Sequence, residues 1–116
     1  MEMRVKVGSL LNGVMAYWDK IEEAARYYIK LYVEETSSYS EKLIHTQELE
    51  TVEIDRNKLY HTFQGLAKYY EQGTTFDYFI EVFAENREGV IVAQSQKVKV
   101  VINDSLCVYD NSNCVF

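Results

Sequence analysis

His45 and His61 are the two histidines of the sequence, and near-neutral proton transfer or zinc binding would have to start from them. They fall on different predicted strands, and neither has a Cys or a second His at metal-ligand spacing. A structural role is therefore the expectation for both. The carboxylates are plentiful, but Glu22-Glu23, Glu34-Glu35 and Glu48, Glu50, Glu53 lie in polar stretches and read as solvated faces. No phosphate-binding loop, nucleophile elbow, zinc-protease or EF-hand pattern occurs. The sequence thus predicts a chain that is not an enzyme, with no metal site and no cofactor.

Weaker chemistry is carried by two short features near the C-terminus. Asn103-Asp104-Ser105 is a glycosylation sequon, meaningful only in a suitable secretory pathway. Cys107 and Cys114 bracket Val108 to Asn113 and fit either a hairpin closed by a disulfide or a reduced pair. Composition narrows the partners. A net charge of -6 argues against nucleic acid and anionic membrane, both of which need a basic footprint. No apolar run is long enough for a spanning helix. Met1 to Val7 alternates charged with apolar residues and offers no signal-peptide core, so either the protein is cytoplasmic or the expected extracellular or cell-surface site implies a leader or a larger parent chain.

The elements that must carry any surface are strands. Ten Tyr and 14% aromatic residues favour them, although the chain has no Pro for edges and turns. Gly73 to Asn86 is the organising stretch: Tyr78, Ile80, Val82 and Ala84 alternate with Phe79, Glu81, Phe83 and Glu85, the period of a half-buried strand. Before it, Arg4–Leu11 reads as an edge strand, closed by Asn12-Gly13. Val14–Trp18 is the second strand, with Val14, Ala16 and Trp18 on one face. Asp19–Arg26 is too short for a free helix and is expected as a loop.

Tyr27–Val33 is the third strand, with Tyr27, Ile29, Leu31 and Val33 on one face and Tyr28, Lys30 and Tyr32 on the other. Glu34–Ser40 is expected as a hairpin loop, Lys42–Glu53 as a polar edge strand and Asp55–Lys58 as a turn. Leu59–Phe63 is the next strand, and Ala67–Gln72 an inserted loop or single helical turn. Val90–Val92 and Lys97–Ile102 finish the sheet. One β-sandwich domain follows, at residues 1–102, with residues 103–116 as a C-terminal tail or short hairpin.

Trp18-Asp19, Tyr27-x-Ile29-x-Leu31, Gly65-Leu66 before Gly73-Thr74, Tyr78-x-Ile80-x-Val82-x-Ala84-x-Asn86 and a last strand from Ser95 to Val100 come in a telling order. In that order the chain resembles a fibronectin type III domain of the immunoglobulin-like superfamily, over Val5 to Ile102. The resemblance implies a seven-stranded antiparallel Greek-key β-sandwich. Its first, second and fifth strands would form one sheet, and its third, fourth, sixth and seventh the other. It also implies structural roles for Trp18, Tyr27 and Leu66, and a tyrosine corner at Tyr78. The chain departs from the family at Lys20, where a Pro is usual, and in the lengthened Ala67–Gln72 loop. Arg87-Glu88-Gly89 sits where some members carry an adhesion tripeptide of different order, so no adhesion role is transferred. The expected core is Trp18, Tyr27, Ile29, Leu31, Phe63, Leu66, Tyr78, Ile80, Val82, Val98 and Val100.

A complete sandwich pattern without a catalytic constellation predicts a non-catalytic protein-interaction or spacer module in a larger surface, secreted or phage-type protein. Its partner would be a protein, a neighbouring domain or a second copy. The alternative is a carbohydrate-binding accessory module using exposed aromatic rings. If the third and central strands are neighbours, Tyr28, Lys30, Tyr32, Phe79, Glu81 and Phe83 share one outward surface, which is the candidate binding face. Lys97 and Lys99 would flank it, and Lys30 would pair with Glu81 for about 0.2–1 kcal/mol. Cover by the tail or by the Tyr69-Tyr70 loop is the competing expectation.

Overall fold

The computed structural model describes residues 2–37, 39–40, 42–66, 70–71 and 74–100. Within them the chain is all-β and built as two antiparallel sheets. The smaller contains β1 (Val5–Leu10), β2 (Gly13–Trp18) and β5 (Tyr60–Gln64), in the order β1-β2-β5. The larger contains β3 (Arg26–Ser37), β4 (Leu43–Asp55), β6 (Tyr70–Glu71), β7 (Thr74–Glu85), β8 (Ile91–Gln94) and β9 (Val98–Val100). Its order is β4-β3-β7-β6, with β8 and β9 also paired to β7.

Alternation explains how the layers meet. Val14, Ala16 and Trp18 on β2 and Phe63 on β5 turn inward from the smaller sheet. Tyr27, Ile29 and Leu31 on β3 and Tyr78, Ile80, Val82 and Ala84 on β7 turn inward from the larger one. These side chains form a single buried cluster, which is what joins two sheets into a sandwich. The register Tyr27↔Ala84, Ile29↔Val82, Leu31↔Ile80 stacks the apolar positions of β3 directly on those of β7. Trp18 leans on Tyr27 with ring centroids 5.6 Å apart, and the Tyr27 hydroxyl accepts a hydrogen bond from Ile21 N at 2.9 Å. That bond anchors the β2–β3 connection, which has no helix, as its length predicted.

Several expectations change. Instead of ending at Val33, β3 runs to Ser37, because Glu34 to Ser37 are paired to β7 and, through Thr36, to β4. The hairpin loop expected at Glu34–Ser40 is correspondingly shorter. Within the expected Ala67–Gln72 loop, Tyr70 and Glu71 pair with β7. Leu66 and Val98 only pack against the core and are partly buried, whereas Met3, Ala24, Ile54 and Ala93 join it.

Nine strand segments stand among the described residues, where the residue pattern gives eight and the resemblance implies seven. Part of the excess is the short β6; the rest comes from Ser95. Its buried hydroxyl accepts Val82 N at 2.8 Å and donates to Gln96 O at 3.0 Å. Between Phe83↔Gln94 and Ile80↔Val98 the last strand has one residue more than β7, so a bulge at 95–97 splits it into β8 and β9.

Candidate binding face

The six residues of the expected face come together. The β3–β7 register sets Tyr28 opposite Phe83, Lys30 opposite Glu81 and Tyr32 opposite Phe79. Because their neighbours along both strands are the buried core residues, all six point to the outer face of the larger sheet. All six are half-buried there.

What holds them is a polar lattice. Lys30 does not pair with Glu81 as expected; its ammonium is 3.4 Å from Glu48 and lies 5.4 Å from the centre of the Phe83 ring. A register shift between Leu31 and Tyr32 places Tyr32 beside Glu48, one strand over, and so brings that carboxylate within reach of Lys30. Glu48 also accepts the Thr51 hydroxyl at 2.7 Å, and that bond, with Lys30 second, holds its carboxyl below the usual range against the opposing effect of burial.

Glu81 is taken up by the Tyr32 hydroxyl and by Gln94 Nε2, both donating at 2.9 Å. Lys97 reaches Glu34 at 3.3 Å and stands 4.8 Å above the Tyr32 ring, and Lys99 is 3.6 Å from Asp77. Arg26 pairs with Glu85, which also accepts the Tyr28 hydroxyl at 3.4 Å. Burial, then the Glu85 charge, raises the Tyr28 hydroxyl pKa.

Tyr32 carries the clearest electrostatic signature. Burial first, then its bond to Glu81 and the charges of Glu81 and Glu48, pushes its hydroxyl up to about 12. A folded-state pKa above the ordinary value means the protonated ring favours the fold. That contribution is complete below about pH 10 and is lost as pH rises toward 12. Tyr32→Phe should therefore flatten the fall in stability between those pH values, as read by urea unfolding at each pH. Parallel curves for the two proteins would show that neither burial nor the Glu81 bond holds the Tyr32 hydroxyl protonated in solution.

The other candidates separate. His45 lies on β4 and His61 on β5, in different sheets. His61 packs edge-on against Phe63 at 4.7 Å, and burial, followed by the Lys58 charge, lowers its pKa. Among the described residues no group of three or more His, Cys, Asp or Glu is placed to hold a metal. Arg87-Glu88-Gly89 forms the β7–β8 turn: Asn86 Oδ1 accepts Glu88 N at 3.0 Å and Val90 N at 2.9 Å, and Gly89 takes a φ of 81°. Arg87 and Glu88 border, with Glu22, Glu23 and Arg56, an open cavity of about 370 Å³. The sequon at Asn103, the Cys107 and Cys114 pair and the tail expected to cover the face lie outside the described residues.

A second aromatic pair escaped the sequence reading. Tyr17 and Tyr60 face each other across β2 and β5 on the outer face of the smaller sheet, and both are exposed. The signal for Tyr17 was present, since it alternates with Ala16 and Trp18. Pairing it with Tyr60 needed the β2–β5 register. No protein-family model matches the chain, and no curated protein matches it.

Proposed function

We propose that the chain is a non-catalytic interaction or spacer module of fibronectin type III type, belonging to a larger extracellular or cell-surface protein. The strand order carries the reading. β1-β2-β5 packs on β4-β3-β7, with β8 and β9 beside β7. With the bulged last strand counted as one and β6 set aside, that order supports the reading of a seven-stranded Greek-key sandwich. In that reading the buried Tyr78 occupies the tyrosine corner.

The contact surface in this proposal is the outer face of the larger sheet. Its rings are fixed by paired strands and by neighbouring charges, so they can meet a partner protein or a second copy with little further loss of side-chain freedom. The test is a Phe79→Lys, Phe83→Lys double variant, followed by circular dichroism and sedimentation. A folded variant whose association is weakened about tenfold or more is the expected result. A folded variant that associates as the wild type does would remove the face from the reading. An unfolded product would leave the rings a structural role alone.

Carbohydrate binding is the second reading, favoured by one observation. Sugar stacking needs open ring faces, and Tyr17 and Tyr60 are more exposed than the half-buried rings of the larger sheet.

A further inference from the structure

We propose that the outer face of the three-stranded sheet binds an anionic saccharide, with sugar rings against Tyr17 and Tyr60 and the acid group held by Arg4 and Lys6. The proposal rests on the carbohydrate-binding reading and gives it a site and a charge. The register draws Lys6, Tyr17 and Tyr60 into one row across β1, β2 and β5. The two rings are 43% and 51% exposed. In the adjoining row, Gly8 stands beside Met15, and the space a β-carbon would enter at Gly8 is open to 4 Å. The surface beside the rings is therefore low enough for a flat ligand. The Lys58 ammonium stands over the Tyr60 ring, 5.0 Å from its centre, and covers part of one face of that ring.

At the near rim Arg4, Lys6, Tyr17, Trp18 and Asp19 line a cavity of about 140 Å³. That is well below the roughly 300 Å³ at which small-molecule pockets begin. It suits a carboxylate or sulfate group projecting from a sugar that itself lies outside, on the rings.

Charge sets the sign of the ligand. On the larger sheet Arg26, Lys30, Lys97 and Lys99 each have a carboxylate partner. Arg4, Lys6 and Lys58 form no ion pair among the described residues. Three cations without an ion pair, beside two exposed rings, outnumber Asp19, the carboxylate that lines the same cavity, and favour an anion at this face. β2 is paired on both sides, by β1 and β5, so an extended chain cannot add beside the strand that carries Tyr17. A pyranose ring needs only the flat apolar faces that tyrosine supplies.

Affinity electrophoresis of the full chain tests the proposal, in gels holding polygalacturonate, dextran sulfate or neutral dextran, with poly-glutamate as the peptide competitor. Retardation by polygalacturonate or dextran sulfate is expected, the two gels distinguishing carboxylate from sulfate, with neutral dextran much weaker. Tyr17→Thr with Tyr60→Thr keeps the net charge and a strand-forming side chain, yet should weaken binding about tenfold or more. Arg4→Gln with Lys6→Gln should weaken it comparably and reduce its salt dependence. Lys42→Gln, an exposed residue just before β4 of the other sheet, should leave it unchanged. Equal retardation by neutral dextran would overturn the anionic assignment while the carbohydrate reading survives. No retardation by any polysaccharide would overturn both. Binding indifferent to loss of the tyrosines, or matched by poly-glutamate, would overturn the site as a saccharide platform.

Discussion

Trp18→Ala should lower the unfolding free energy by about 3–5 kcal/mol, the range for removing a large aromatic from a packed core. Trp18 is only 5% exposed and ends β2 against the Tyr27 ring. Its backbone N–H donates to Leu59 O at 3.0 Å, tying the end of β2 to the start of β5. Truncation thus opens a cavity where the smaller sheet, the β2–β3 connection and β3 converge. Trp18→Phe should cost clearly less, for a specific reason: the indole Nε1 is buried without an acceptor among the described residues. Phenylalanine keeps much of the ring while removing a desolvated donor that costs about 1–3 kcal/mol when unpaired. Urea denaturation of both variants is the measurement. Equal losses would mean that the N–H is satisfied in solution.

Gly13→Ala is the second large effect, and its cause is backbone proximity. A β-carbon at Gly13 would lie 2.4 Å from the carbonyl oxygen of Phe63, which belongs to the neighbouring strand and cannot swing aside. The β2–β5 ladder must open at its Gly13↔Gln64 end, at a cost of about 1–3 kcal/mol or more. Gly8→Ala is the control, since nothing lies within 4 Å of its added carbon; its effect should stay within about 0.5 kcal/mol. Thermal unfolding reports the difference, and amide exchange at Phe63 and Gln64 shows whether the damage is local. If both alanine variants melt together, the two strands do not approach so closely.

The strands whose faces differ most in polarity were the legible ones. Trp18, Tyr27, Ile29, Leu31, Ile80 and Val82 alternate with polar or outward residues, and each is buried where the pattern puts it. The outward set Tyr28, Lys30, Tyr32, Phe79, Glu81 and Phe83 followed from the same period. Strand ends were not legible. Glu34 to Ser37 have poor strand propensity, and pairing on both flanks overrides it. Nor could single-residue insertions be read. The irregularity beside Leu49 decides that Lys30 meets Glu48 rather than Glu81, whereas the gap between the last two segments was visible and only its cause, the Ser95 bulge, was not. Ile54, which falls between the expected strand Lys42–Glu53 and the expected turn Asp55–Lys58, is a core residue because it stands opposite Tyr27.

The same irregularities in β4 bear on the protein's solubility. Among the described residues β4 pairs only with β3, so one side of its backbone is an open template for another chain. It carries exposed Leu43, Ile44 and Leu49, the kind of residue that promotes fibril growth on such an edge. The register shifts with β3 fall next to Ile44 and Leu49, interrupting the ladder at those apolar positions. The longer uninterrupted run, Glu50–Asp55, contains Glu50, Glu53 and Asp55, whose like charges oppose in-register stacking of identical strands. The edge of the larger sheet is thereby protected from cross-β polymerisation without the proline that the sequence lacks.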